Sequence, residues 1–240
     1  MQLFEGLVNP KMVLPPEEWP LIMGNSSDIC DMRTIVCLST LVHSRAKDCA
    51  TDDNISDSLA TTKAAYDATK QSLVELRHLV EAADPDVTRV SPTSRLSSFL
   101  PNTGHAFHQR NLGIALFMLI VQNCVLQKYE EDIDDLQQEA YELSREVIII
   151  AKKAQRYRPL GASYALLCLM AAYIGMTEVA ARTEIMSLYM DYRRDFPGEK
   201  SMFEDEREMW KIYNLLRFGL VDETLLTTSS CSSVWDSNGS

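Results

Sequence analysis

Between Asn54 and Ala83 the residues Ile55, Leu59, Thr62, Tyr66, Thr69, Leu73, Leu76 and Val80 recur at alternating steps of four and three. Side chains spaced in this way share one face of an α-helix, whereas a half-buried strand needs strict alternation. The same rhythm returns from Asp132 to Tyr157 in Ile133, Leu136, Ala140, Leu143, Val147, Ile150 and Ala154. No alternating apolar and polar run of useful length occurs in the chain, so the expected class is all-α. The threonines weaken the first stripe as a free coiled-coil seam. It suits packing on a neighbouring helix better than pairing with a second copy.

Two further stretches carry no charge, Leu112–Gln127 and Pro159–Thr177. The first is interrupted by Gln122 and Asn123 and is short against the roughly 20 residues a bilayer crossing needs. The second is diluted by Pro159, Gly161, Ser163 and Gly175. Helices that are apolar all round fit the interior of a protein, so both are expected to be buried core.

Around these elements the punctuation is local. Residues 1–27 hold Pro10, Pro15, Pro16 and Pro20 and read as an extended arm, because an X-Pro pair disfavours helix before it. A helix is expected over Asp28–Ala46, and a polar turn over Asp48–Asn54. Pro85, Pro92 and Pro101 mark Asp84–Gly104 as a loop. From His105 helices are expected to Tyr129 and from Asp132 to Tyr157, with a break at Arg158-Pro159-Leu160-Gly161. A buried helix then runs to Ile174. Another runs from Glu178 to Asp195 behind a Thr177 cap, and a last one opens at the Ser201–Glu204 capping box. Residues 222–240, rich in serine and threonine from Thr224, have little to bury and are expected to be disordered. The whole reads as an irregular bundle of about seven helices, with one helical domain over 28–221.

The charge balance narrows the function. With 34 acidic against 23 basic side chains the net charge is -11. Gripping nucleic acid or an anionic membrane needs a basic face, so neither is an expected partner of this chain. Lys152, Lys153, Arg156 and Arg158 cluster at a helix C-terminus, where cations favour the helix dipole. That accounts for them better than DNA contact does. Met1–Asn9 lacks the basic start and apolar stretch of a secretory signal.

No residue type recurs at the spacing of a complete catalytic constellation. Asp134 and Asp135 with Glu139 resemble a degenerate aspartate-rich motif of class I terpene cyclases, whose carboxylates hold magnesium. The second metal motif of that family has no match, and acidic residues in a helix's first turn favour the dipole without a metal. His105 and His108 are spaced to share a helical face, but a zinc site needs three or four ligands and no second cluster pairs with them. They read as polar residues at a helix N-terminus. The six cysteines include no C-x-x-C pair, and Cys124 and Cys168 sit on the most apolar helices as small hydrophobes. Cys30, Cys37 and Cys49 match no ligand spacing, and no Gly-rich phosphate loop is present. No catalytic, cofactor-binding or metal-ligating residue is assigned, and no cofactor is expected.

The stretch Ala151-Lys152-Lys153-Ala154-Gln155-Arg156-Tyr157-Arg158-Pro159-Leu160-Gly161-Ala162-Ser163-Tyr164, preceded by Glu142-Leu143-Ser144-Arg145-Glu146, resembles the C-terminal regulatory region of fungal zinc-cluster transcription factors of the aflatoxin-regulator type. The later run Tyr189-Met190-Asp191-Tyr192-Arg193-Arg194-Asp195-Phe196-Pro197 fits the same picture, and the resemblance spans roughly Gly104 to Leu220. In that family the region is all-helical and follows a DNA-binding zinc cluster, and many members switch on specialised-metabolite gene clusters. This sequence departs from the pattern: Cys30 and Cys37 reproduce only one gap of the cluster, with Asp28 and Asp31 where basic residues belong. The resemblance therefore implies a nuclear, non-enzymatic regulator that is either a piece of a longer factor or acts through protein partners. An exposed groove or the Asp84–Gly104 loop would receive a partner or a small-molecule effector. The alternative is a divergent all-α cyclase built on Asp134 and Asp135.

Overall fold

A computed structural model of the chain describes residues 52–84, 95–129 and 133–195, together with Arg207, Trp210, Lys211, Tyr213, Asn214 and Leu216. The expected arm, the Asp28–Ala46 helix, the Ser201–Glu204 capping box and the tail lie outside the described residues. The described elements are α1 (Asp52–Ala82), α2 (Arg95–Leu126), α3 (Ile133–Ala154), α4 (Tyr164–Gly175) and α5 (Val179–Arg193). Two short 3-10 turns, Gln155–Tyr157 and Leu160–Ala162, link α3 to α4. Arg207 and the described residues from Trp210 to Leu216 are also helical. No strand occurs among the described residues, and the fold class is all-α.

Helix α2 is the axis of the fold, with α1, α3 and α4 packed around it. This explains why its C-terminal half, from Leu112, is apolar nearly all round. Ala115 through Val121 are fully excluded from water, because each side of the helix meets a neighbour. Burying a side chain such as Leu116, Phe117 or Ile120 contributes on the order of 1.5–3 kcal/mol, so this segment anchors the bundle. Among the described residues one stretch, Thr103–Leu126, is long and apolar enough to cross a membrane, but 89% of its apolar window is buried inside the fold.

The two stripes face this axis. In α1, Thr62, Tyr66, Thr69, Leu73 and Val80 are buried while Val74 on the other side is 69% exposed. Thr69 fits an apolar seam because its Oγ1 donates to the Ala65 carbonyl at 2.8 Å, within its own helix. In α3, Ala140, Leu143, Val147, Ile150 and Ala154 are buried, and Asp134, Asp135 and Glu142 face water. Where three helices meet, Tyr66 of α1 donates to Glu139 Oε2 of α3 at 2.6 Å and accepts from Asn123 Nδ2 of α2 at 2.9 Å. Gln127 Nε2 closes the chain on Asn123 Oδ1 at 2.6 Å. The two residues that interrupt the apolar run therefore lie inside the fold, and Asn123 ties the helices together there.

Three local expectations are corrected. The Asp84–Gly104 loop ends sooner than expected, because residues 95–104 already belong to α2. Pro101 removes a single N–H donor, and propagation outward from the buried segment absorbs that cost. Asp52–Asn54, expected within a polar turn, already belong to α1. Thr177 does not cap α5: the carbonyl of Glu178 accepts the first bond, from Arg182 N at 3.0 Å, and Glu178 has extended backbone (ψ 124°). Elsewhere the expected break between α3 and α4 is found, with a cis peptide at Arg158–Pro159.

Candidate functional site

The break after α3 places Arg158 against the last turn of α5. Its Nε donates to Asp195 Oδ2 at 2.5 Å and its Nη2 to Asp195 Oδ1 at 2.9 Å, a two-pronged carboxylate fork. The same guanidinium bonds the Asp191 carboxylate and, at 2.8 Å, the Asp191 carbonyl. It also lies 4.9 Å above the Tyr192 ring, whose hydroxyl donates to the Ala151 carbonyl at 2.6 Å. The two stretches Ala151–Tyr164 and Tyr189–Asp195 thus dock on each other through one arginine and one tyrosine.

Three further basic residues are similarly engaged. Lys152 pairs with Glu184 at 2.6 Å and Arg145 with the same carboxylate at 3.5 Å, while Arg156 reaches Asp84 at 3.3 Å. The Lys152 ammonium holds the Glu184 carboxyl below its ordinary value, and Arg158 does the same for Asp195. A lowered carboxylate stabilises the fold above its unfolded value, and that gain fades as pH falls through the folded one. Arg158→Met is accordingly expected to destabilise the protein most at neutral pH, with the gap to the native chain narrowing between about pH 5 and pH 2. Urea midpoints of both chains across that range check this; a gap that stays constant with pH would refute it.

The histidines differ from expectation. His105 lies well inside α2, which begins at Arg95, and is buried, with Nδ1 2.5 Å from the Tyr157 hydroxyl and 3.2 Å from Arg156 Nη2. It is a core residue bridging α2 to the turn after α3, because the extra turns of α2 remove it from the helix end. His108 is half-buried. Among the described residues no group of three His, Cys, Asp or Glu side chains is placed to hold a metal. Asp134 and Asp135 stand in the first turn of α3 facing water, and Glu139 is spent on Tyr66 and on Lys70 at 2.6 Å. These carboxylates do not converge on a cavity. Cys124 and Cys168 are buried and in no disulfide, and burial pushes the Cys168 thiol up, away from reactive thiolate.

An open groove lies on the face formed by α4, α5 and Trp210, with a volume of about 560 Å³. Tyr173 of α4, Val179, Met186 and Met190 of α5, and Trp210 line it, with Arg182 among them. The Arg182 guanidinium is 4.3 Å from the Tyr173 and Tyr213 ring centres and 5.1 Å from that of Trp210. Trp210 and Tyr213 stack at 5.2 Å and 14°, so the cation sits in an aromatic cage. Among the described residues no carboxylate pairs with Arg182, and its buried Nε has no hydrogen-bond partner.

Sequence reasoning assigned none of these groove residues. Val179, Arg182, Met186 and Met190 recur at helical spacing, which was the one local signal, but a mixed apolar and cationic stripe resembles any half-exposed helix face. The aromatic residues come from two other parts of the chain. Comparison with known proteins finds no matching family model, no matching characterised protein and no matching solved structure.

Proposed function

We propose that this chain is a non-enzymatic regulatory domain in transcriptional control, of the kind that follows the zinc cluster in fungal specialised-metabolite regulators. It acts in the nucleus, and a protein partner or another part of a longer chain supplies the DNA contact. In this reading the domain is the irregular bundle of about seven helices expected from the periodicity.

The observation that carries the reading is the mutual docking of the two resembling stretches. Arg158 of the first binds Asp191 and Asp195 of the second, and Tyr192 of the second binds the Ala151 carbonyl of the first. The two stretches form one packed unit, as a single regulatory domain built from both requires. The engaged basic residues and the acidic net charge support a role through partners.

Chromatin immunoprecipitation of the tagged protein, combined with transcript profiling after deletion of its gene, tests the proposal. Enrichment at promoters whose transcripts fall on deletion is expected. No enrichment and unchanged transcripts, with one metabolite lost, would overturn it in favour of catalysis.

A further inference from the structure

The groove between α4, α5 and Trp210 has the makings of a ligand site. Its volume of about 560 Å³ falls inside the range of roughly 300–1,000 Å³ typical of small-molecule pockets. The walls mix the hydroxyls of Thr183 and Ser187 with adaptable apolar side chains: Met186 and Met190 stand one turn apart on α5, and unbranched thioethers reshape around a guest at little cost. Val179 at the rim is 76% exposed, an apolar surface that a ligand would cover.

One charge converges on this apolar surface. On α5, Glu184 is engaged by Lys152 and Arg145, and Asp191 by Arg158. Arg182 is different, since its guanidinium is held by rings and neutralised by no described carboxylate. The surrounding rings hold the guanidinium in place while leaving its charge unpaired, which pre-organises a cation for an anion. A single guanidinium matches a single carboxylate in geometry and charge. A polyphosphate or nucleic acid would need several cations, and the net charge of -11 opposes such polyanions.

We infer that this groove binds a small monocarboxylate with an aromatic or aliphatic body, its carboxylate on Arg182 and its body against Met186, Met190 and Trp210. The role of such a ligand as an effector rests on the regulatory reading above; binding itself does not. The ligand class joins an acid group to an apolar skeleton, as small organic acids do.

Isothermal titration of the purified full chain with 2-naphthoate tests the site, with 2-naphthamide as the uncharged isostere. Saturable binding in the micromolar to millimolar range is expected, with the amide at least about tenfold weaker. Arg182→Gln is expected to weaken 2-naphthoate by about tenfold or more. Val179→Asp provides the second variant, because the position is exposed and an aspartate three residues before Arg182 would neutralise the guanidinium in place. It should abolish binding without lowering the thermal midpoint. Absence of saturable binding, equal affinity for acid and amide, or undiminished binding by a folded Val179→Asp chain would each overturn the inference. Promoter occupancy is measured separately, so failure of the site and failure of the regulatory reading give different results.

Discussion

Phe117→Ala is expected to lower the free energy of unfolding by about 3–5 kcal/mol. Phe117 lies fully buried near the middle of α2. Truncation there removes the transfer gain of the ring and leaves a cavity, and both terms act at full strength because the surroundings cannot collapse. Helices α1, α3 and α4 all pack on α2, so an inward shift by one would pull it from the others. Interiors are close-packed, and a void at such a junction persists. Against a total of about 5–15 kcal/mol for a domain, the loss is large enough to bring the variant near the unfolding threshold. Urea denaturation would show a reduced midpoint with unchanged slope. Val74→Ala, on the 69% exposed side of α1, serves as the control and should change stability by less than about 0.5 kcal/mol. A Phe117→Ala cost similar to the control's would mean that α2 is not the axis of the fold.

Gly175→Val is the second large effect, at about 3 kcal/mol of destabilisation from overpacking. A Cβ added at Gly175 would stand 2.6 Å from Ser144 Oγ of α3 and 2.7 Å from Ile120 Cγ2 of α2, closer than atoms tolerate. Replacing a helical glycine by alanine normally gains up to about 1 kcal/mol, so here two effects of opposite sign compete. The clash wins because Ile120 is fully buried and β-branched, with few rotamers to retreat into. Part of the clash is separable. Ser144 Oγ has no hydrogen-bond partner among the described residues, so Ser144→Ala alone loses little. The double variant Gly175→Ala/Ser144→Ala should recover at least about 0.5 kcal/mol over the sum of the single changes. Strict additivity would show that α4 does not approach α3 this closely.

Both effects arise where helices meet, and such meeting points were the least legible part of the sequence. The stripes of α1 and α3 could be read residue by residue, because helical period is a local property of the chain. Thr62, Tyr66 and Leu73, and again Leu143, Val147 and Ile150, are buried as their spacing requires. The apolar character of Leu112–Gln127 likewise announced a buried helix. The start of α2 was misjudged because Pro101 and Gly104 are weighed locally as breakers, whereas helix continuation is cooperative with the buried turns that follow. His105 was misplaced for the same reason. Gly175 carried no local signal at all, since its role is a close approach between three helices.

The candidate site follows the same division. Arg158 was visible as one of a basic cluster, and the sequence suggested only a favourable interaction with a helix end. Its carboxylate partners lie more than thirty residues further along the chain, at |i−j| of 33 and 37. Only the fold of α5 back onto α3 brings them within hydrogen-bond reach. The aromatic cage of Arg182 draws Tyr173 from α4 and Trp210 and Tyr213 from beyond α5, and no spacing rule connects them.

By itself the sequence determined the helical class, most helix positions and the buried faces, because these depend on periodicity within a few turns. It also determined the acidic balance that disfavours a polyanionic partner, since net charge is a sum over residues wherever they lie. Tertiary structure alone decided which charges are neutralised, which polar groups join the core, and where a groove stays open. Those outcomes depend on distances between residues far apart in the chain. Hydrogen-bonding and packing energies fall off within a few ångströms and screened Coulombic ones within about 10 Å, so they act only once the helices have met.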